Sequence, residues 1–273
     1  MSNSSNKGVA VVTGASSGIG AVYADRLAKR GYDLILVARN EARLKSLSAR
    51  LTSETGRSVK VLRADLNNKE ELATIEATLR NDSSITMLIN NAGTASVASL
   101  LNADVNKMDE IIALNITALT RLTYAAAPAF VARGSGTIIN IGSVVGVSPE
   151  ALNGVYGASK AYVLAFRHSL QNELADKGIR VQAVLPGATA TDLWEIAGLP
   201  WQKLPPSIVM PVEDMVDAAL VGLDQGELVT IPGLHDGDEW TRFDAACRAI
   251  SQRFGNSVPA QRYRIGEPAQ QRV

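Results

Sequence analysis

The chain has 273 residues, enough for one large α/β domain with a generous core, and 46% of them are apolar, as in an ordinary soluble globular protein. Lysine plus arginine and aspartate plus glutamate balance at 27 each, which argues against nucleic acid or an anionic membrane as partner. A lone cysteine, Cys247, excludes an intrachain disulfide; with no signal-type apolar segment and no run of about 18 apolar residues, the expected location is the cytoplasm.

The first β-branched run, 9–13, leads directly into Thr13-Gly-Ala-Ser-Ser-Gly-Ile-Gly20 and a helix at about 18–30. Gly14 permits a tight turn, Gly18 lets backbone amides approach a pyrophosphate, and Gly20 lets helix and sheet pack closely. The positive end of the helix dipole then faces the phosphates, so this turn is expected to hold a dinucleotide. The second strand, 34–38, ends in Val37-Ala38-Arg39-Asn40 with no carboxylate at its tip. An NAD enzyme places a carboxylate there for the ribose 2′-OH; Arg39 instead suits a 2′-phosphate, with Ser16 adding a hydroxyl and Glu41 left solvated. The cofactor expected is therefore NADP(H).

Further strands are expected at 59–63, 87–90, 137–141, 181–185 and 228–231, most of them apolar on both faces as buried parallel strands are. Helices are expected at about 40–55, 68–81, 106–132, 154–177, 213–224 and 237–253. Residues 188–212, with four prolines and two tryptophans, read as a substrate loop or lid with short helical pieces. The alternation predicts an α/β fold: a Rossmann-like, doubly wound, parallel seven-stranded sheet with helices on both faces, as a single domain over 1–256, and an irregular tail over 257–273.

On the helix at 154–177, Tyr156 and Lys160 stand four residues apart and so share a face, where an ammonium favours the phenolate. Such a pair alone is ordinary helix surface. Here it stands with Thr13-Gly-x-x-x-Gly-x-Gly20, Asn90-Asn-Ala-Gly93, Asn115, Ser143 and Pro186-Gly187, in that order. Together these resemble the short-chain dehydrogenase/reductase family, NADP(H)-preferring carbonyl reductases in particular, over residues 7–232.

The resemblance implies that Tyr156 is the general acid in reduction, that Ser143 holds the same carbonyl oxygen, and that Lys160 binds the nicotinamide ribose and lowers the Tyr156 pKa. Asn115, on the long helix, would hold a water relaying protons to Lys160. Cofactor contacts are implied for Gly14, Ser16, Ser17, Gly18, Ile19, Gly20, Arg39, Asp65, Leu66, Asn91, Ala92, Gly93, Pro186, Gly187, Thr189 and Thr191, beside Tyr156 and Lys160. The expected activity is NADPH-dependent reduction of a ketone or aldehyde to the alcohol. The alternatives are an NAD-dependent alcohol or hydroxysteroid dehydrogenase and a non-catalytic dinucleotide-sensing protein.

Substrate contacts are expected from Thr94, Val145, Asn153, Leu193 and Trp194, in a wall that also includes Ala95, Val144, Val147, Leu152, Ala188, Leu199 and Trp201. The wall offers no arginine or lysine to a carboxylate or phosphate, so a neutral hydrophobic carbonyl compound is expected. No metal is expected: His235, Asp236 and Asp238 read as a helix N-cap region, His168 as a surface or subunit-contact residue, and Cys247 as packed. Extra apolar residues on the helices 106–132 (Leu114, Ala118, Leu122, Ala125, Ala126, Phe130, Ala132) and 154–177 (Tyr162, Val163, Ala165, Phe166, Leu170) predict a homo-oligomer, a dimer or tetramer.

Overall fold

Strand β1 (Val9–Thr13) is buried at every residue after the first and pairs in parallel with β2 (Asp33–Ala38) on one side and β4 (Ile85–Asn90) on the other. β3 (Val59–Arg63), β5 (Gly136–Ile141), β6 (Ile179–Val184) and β7 (Val229–Thr230) complete an all-parallel sheet of order β3-β2-β1-β4-β5-β6-β7. The computed structural model describes residues 7–152 and 154–263, so Asn153 lies outside the described residues.

Alternation along β1 explains the two-sided core. Ala10 and Val12 pack with Tyr23 and Leu27 of α1 (Gly18–Lys29), Leu44 and Leu51 of α2 (Glu41–Thr55) and Val216 of α8 (Val212–Asp224). Val11 faces the other way, toward Ile75 and Leu79 of α3 (Lys69–Asn81), Leu122 and Phe130 of α5 (Leu119–Arg133) and Leu170 of α6 (Gly154–Leu174). Side chains cap α2 and α3 at their starts: Asn40 accepts from Arg43 N, and Asn68 from Glu70 N and Glu71 N, all at 3.0 Å.

The expected helix at 106–132 is divided. It runs as α4 (Val105–Ile112), then a π-helical turn over Ala113–Ala118, then α5. Within 188–212 the chain forms α7 (Leu193–Ala197) and two 3-10 turns, Trp201–Lys203 and Pro206–Ile208. β7 is shorter than expected because, at the sheet edge, only Val229 and Thr230 find partners on β6. Half of the twelve apolar residues assigned to subunit contacts are already used by the core: Ala118, Leu122, Ala125, Ala126, Phe130 and Leu170 pack under the sheet. What that face exposes instead is Ile112 and Tyr124, the latter stacked on Phe166 at 6.3 Å, with Tyr162 on Phe166 at 5.5 Å. Among the described residues no helix is long and apolar enough to cross a membrane.

The chain separates after Gly233 into a second unit. There α9 (Gly237–Ser251) is capped by Asp236, whose carboxylate accepts from Asp238 N at 2.9 Å, and a 3-10 turn covers Gln261–Tyr263. Cys247 is exposed on α9, contrary to the packed position expected, because no residue of this helix is buried.

Candidate active site

The carboxyl ends of β1, β4, β5 and β6 open into one cavity of about 210 Å³, at the switch point where the strand order reverses between β1 and β4. The Thr13 hydroxyl, at the end of β1, donates to Ile89 O at 3.1 Å and accepts from Asn91 N and Ala92 N at 3.0 Å each. Asn91 Nδ2 reaches back to Thr13 O at 2.9 Å and Gly14 O at 3.3 Å. These bonds pin the glycine turn against β4.

Two glycines are required here by geometry. Gly14 has φ 66°, the left-handed region, and a Cβ there would lie 2.8 Å from Asn91 Nδ2. A Cβ on Gly20 would lie 2.4 Å from Gly14 O, so its absence lets α1 pack onto the turn. Gly14, Ser17, Gly18 and Ile19 line the cavity at the start of α1, and the N-cap Ser17 makes no side-chain capping bond. Open backbone, a free hydroxyl and a helix N-terminus form a cradle that fits a dinucleotide pyrophosphate.

At the ends of β2 and β3 the adenine-side candidates lie outside the cavity lining. Ala64 N donates to Ala38 O at 3.0 Å, and Arg39 and Asp65 follow at the carboxyl ends of these neighbouring strands. Arg39 is exposed and makes no ion pair or hydrogen bond with the described residues, so its guanidinium is available to a phosphate. Glu41 is held by Lys45 at 2.7 Å. Asp65 accepts from Asn67 N at 3.0 Å in a local turn, Leu66 is buried in the core, and Ser16 and Gly20 also lie off the cavity wall.

The catalytic candidates converge. Tyr156 and Lys160 share the buried face of α6, with the Lys160 nitrogen 5.7 Å from the phenol ring centroid and donating to Ile141 O at 3.0 Å. Ser143 follows β5 and starts a 3-10 turn; its hydroxyl accepts from Val145 N and donates to Pro186 O, both at 3.3 Å, and hydrogen-bonds with the Tyr156 phenol. Asn115 sits in the π-helical turn, a distortion that often marks functional positions. Its amide accepts from Thr94 N at 2.9 Å and donates to Thr94 O at 2.9 Å and Ser159 Oγ at 3.0 Å. Ser159 in turn donates to Tyr156 O at 2.7 Å. The Asn115 side chain thus ties the loop after β4 to the N-terminal part of α6. Gly93 lies between Asn115 and Lys160: a Cβ there would meet Asn115 Oδ1 at 3.2 Å and Lys160 Nζ at 3.8 Å.

Burial sets the charge states. It pushes the Tyr156 phenol up to about 12, against the smaller pull of its hydrogen bond with Ser143, and pushes the Lys160 ammonium down to about 8. Desolvation dominates in this pocket, and the influence that opposes it at the phenol is the Ser143 hydrogen bond. At neutral pH both groups carry their protons.

Around Tyr156 lies a separate apolar cluster of Ala95, Val145 and Ala197, with Val97, Leu152 and Leu193 packed against it. Thr94, Val145, Leu193 and Trp194 line the cavity as expected, and so do Pro186, Gly187, Thr189 and Thr191. Val147, just past the 3-10 turn after β5, does not, nor do Leu199 and Trp201: α7 ends at Gly198, φ 95°, and the chain leaves the cavity there. Ser96, Val97, Ile196 and Ala197 line it without having been singled out in the sequence. The spacing of Leu193, Ile196 and Ala197 on one face of a helical turn carried a signal for two of them; Val97 is placed by its N–H bond to Ala197 O at 3.1 Å, which no local pattern encodes. His168 lies off the cavity, its Nδ1 3.0 Å from Arg167 Nη1.

Residues 8–198 match the family model described as short chain dehydrogenase. A short-chain dehydrogenase from Sphingobium yanoikuyae, solved in complex with NADPH, is 49% identical, with a TM-score of 0.91 over 94% of this chain and 100% of that one. The bulky-bulky ketone specific alcohol dehydrogenase from Comamonas testosteroni is 44% identical, with a TM-score of 0.88 over 95% of this chain and 99% of that one. An uncharacterized oxidoreductase of Staphylococcus epidermidis is 33% identical over 224 residues, 82% of this chain and 94% of its own.

Proposed function

The chain belongs to the short-chain dehydrogenase family, and from that premise we propose that it is an NADPH-dependent reductase of a ketone flanked by bulky apolar groups. The observation that carries this reading is the buried Ser143–Tyr156–Lys160 cluster facing a cavity whose other end is the glycine cradle. A nicotinamide dinucleotide bound there supplies the hydride. Gly14, Ser17, Gly18 and Ile19 hold its pyrophosphate, Pro186 to Thr191 flank its carboxamide end, and Arg39 holds the 2′-phosphate that marks NADPH.

Tyr156 donates the proton to the substrate oxygen, for which its high pKa keeps it in the acid form. Ser143 directs its hydroxyl to the same oxygen and stabilises the charge that develops there. Lys160, still an ammonium at neutral pH, holds ribose hydroxyls; Asn115 braces the loop after β4 and the N-terminal part of α6 that carries Tyr156 and Lys160.

The substrate class rests on the walls. Val97, Val145, Leu152, Leu193 and Ile196 are apolar; among the described residues Lys160 is the sole cation of the lining, and Asp192, its sole carboxylate, pairs with Arg43 at 3.1 Å. An anionic substrate finds no counter-charge beyond Lys160. The Comamonas relative is named for ketones with two bulky substituents, and the same class is proposed here. The chain works in the cytoplasm, where exposed Cys247 stays reduced, and as a homo-oligomer. A panel of aryl alkyl ketones of increasing size, read as loss of NADPH absorbance and repeated with NADH, tests the reading. Absence of turnover across the panel in protein that binds NADPH refutes it.

A further inference from the structure

Helix α9 has fifteen residues, and none is buried. A helix of this length is marginal in water by itself and takes its stability from packing an apolar face. α9 possesses such a face. Trp240, Phe243, Cys247 and Ile250 recur at alternating three- and four-residue spacing, and Phe254 continues the row, the pattern of the a and d positions of a heptad seam. Phe243 is 44%, Ile250 55% and Phe254 74% exposed, so the seam is open to solvent for most of its length. Arg242 pairs with Asp236 and Arg248 with Asp244; of the other charges, Asp238 and Glu239 stand at the start and Arg253 just past the end, and none of these three makes an ion pair with the described residues.

We propose that α9 docks onto α9 of a second copy of this chain, antiparallel, about a two-fold axis. Laying Trp240 against Ile250 of the other copy, and Phe243 against Cys247, closes the seam. The same register sets residues 236–239 level with 251–254, which brings Asp238 and Glu239 of each copy beside Arg253 of the other. A parallel pair sets like charges side by side, so charge selects the antiparallel one. The contact is self-complementary, as a two-fold interface requires. It is independent of the catalytic reading.

The test is disulfide trapping on the full chain. Phe243→Cys, with native Cys247 retained, is oxidised with diamide at micromolar concentration and read on a non-reducing gel. A covalent dimer is expected as the main species, at least tenfold depleted when Cys247→Ala is added and when Ile250→Asp is added. Arg253→Glu slows trapping at low salt, and Arg253→Glu combined with Glu239→Arg restores it. These positions are exposed, and NADPH binding by each variant reports that the first unit is folded. In parallel, light scattering on Ile250→Asp in the native background shows half the native mass. No covalent dimer, an equal yield without Cys247, or an unchanged mass for Ile250→Asp overturns the proposal. So does binding of the native chain to lipid vesicles that Ile250→Asp abolishes, which assigns the face to a membrane surface instead.

Discussion

Lys160 and Tyr156 occupy one buried face of α6 with 5.7 Å between ammonium nitrogen and ring centroid, and burial drives their proton affinities apart, the phenol up to about 12 and the amine down to about 8. The phenol is therefore poised as an acid. The amine is the group that titrates near working pH.

Tyr156→Phe removes the proposed proton donor while leaving a ring of nearly the same shape in the buried site. Turnover is expected to fall by at least about 10²–10⁴-fold with NADPH affinity changed little. Single-turnover kinetics and cofactor fluorescence titration check this; near-native kcat in the folded variant rejects Tyr156 as the acid.

The depressed Lys160 pKa predicts two pH effects. In the free enzyme, kcat/KM for reduction is expected to fall above about pH 8, as the ammonium proposed to hold the ribose loses its proton. For stability, the unfolded chain binds a proton on this lysine up to its ordinary value of 10.5 while the folded chain releases it near 8. Stability therefore rises with pH across that window, until buried Tyr156 and Tyr23, whose phenols are held protonated by folding, oppose it above about pH 10. Below pH 8 the buried ammonium costs on the order of 3 kcal/mol. Lys160→Met should recover part of that, offset by the lost bond to Ile141 O, and should flatten the pH 8–10 slope in urea melts. An unchanged slope shows that Lys160 is not the titrating group.

Arg39→Ala tests cofactor choice. The unpaired guanidinium at the end of β2 is expected to contribute on the order of 1.5–3 kcal/mol to NADPH binding and far less to NADH. Dissociation constants for both cofactors decide it: equal losses, or native preference for NADH, remove Arg39 as the discriminator.

Thr13→Val leaves Ile89 O and the N–H groups of Asn91 and Ala92 without their shared partner in a buried place. A loss of about 1–3 kcal/mol is expected in chemical denaturation. NADPH affinity should fall as well, because the glycine turn is anchored through these bonds. Native-like stability would mean that the turn is held by other contacts.

The stacked Tyr124, Phe166 and Tyr162 rings on the outer face of α5 and α6 predict assembly through that surface. Light scattering should give a mass above 28.9 kDa, and Tyr124→Glu should lower it. A native mass equal to one chain refutes self-assembly through this face.

Residue patterns alone were enough to read the sheet, the glycine turn and the side chains that converge at the cavity. Each is encoded locally: buried parallel strands must be apolar on both faces, Gly14 must adopt a positive φ, and Tyr156 and Lys160 lie one helical turn apart. Tertiary structure decided what depends on distant neighbours. The π-helical turn at Asn115 follows from its bonds to Thr94 and Ser159, 21 and 44 residues away, which helical periodicity does not register. The apolar residues of α5 read equally well as core or contact surface until β1 and β5 claimed Leu122 and Phe130 and left Tyr124 outside. The proton affinities of Tyr156 and Lys160 likewise came from enclosure: spacing put the ammonium beside the phenol, but only the packed walls removed the water that would have kept their ordinary values.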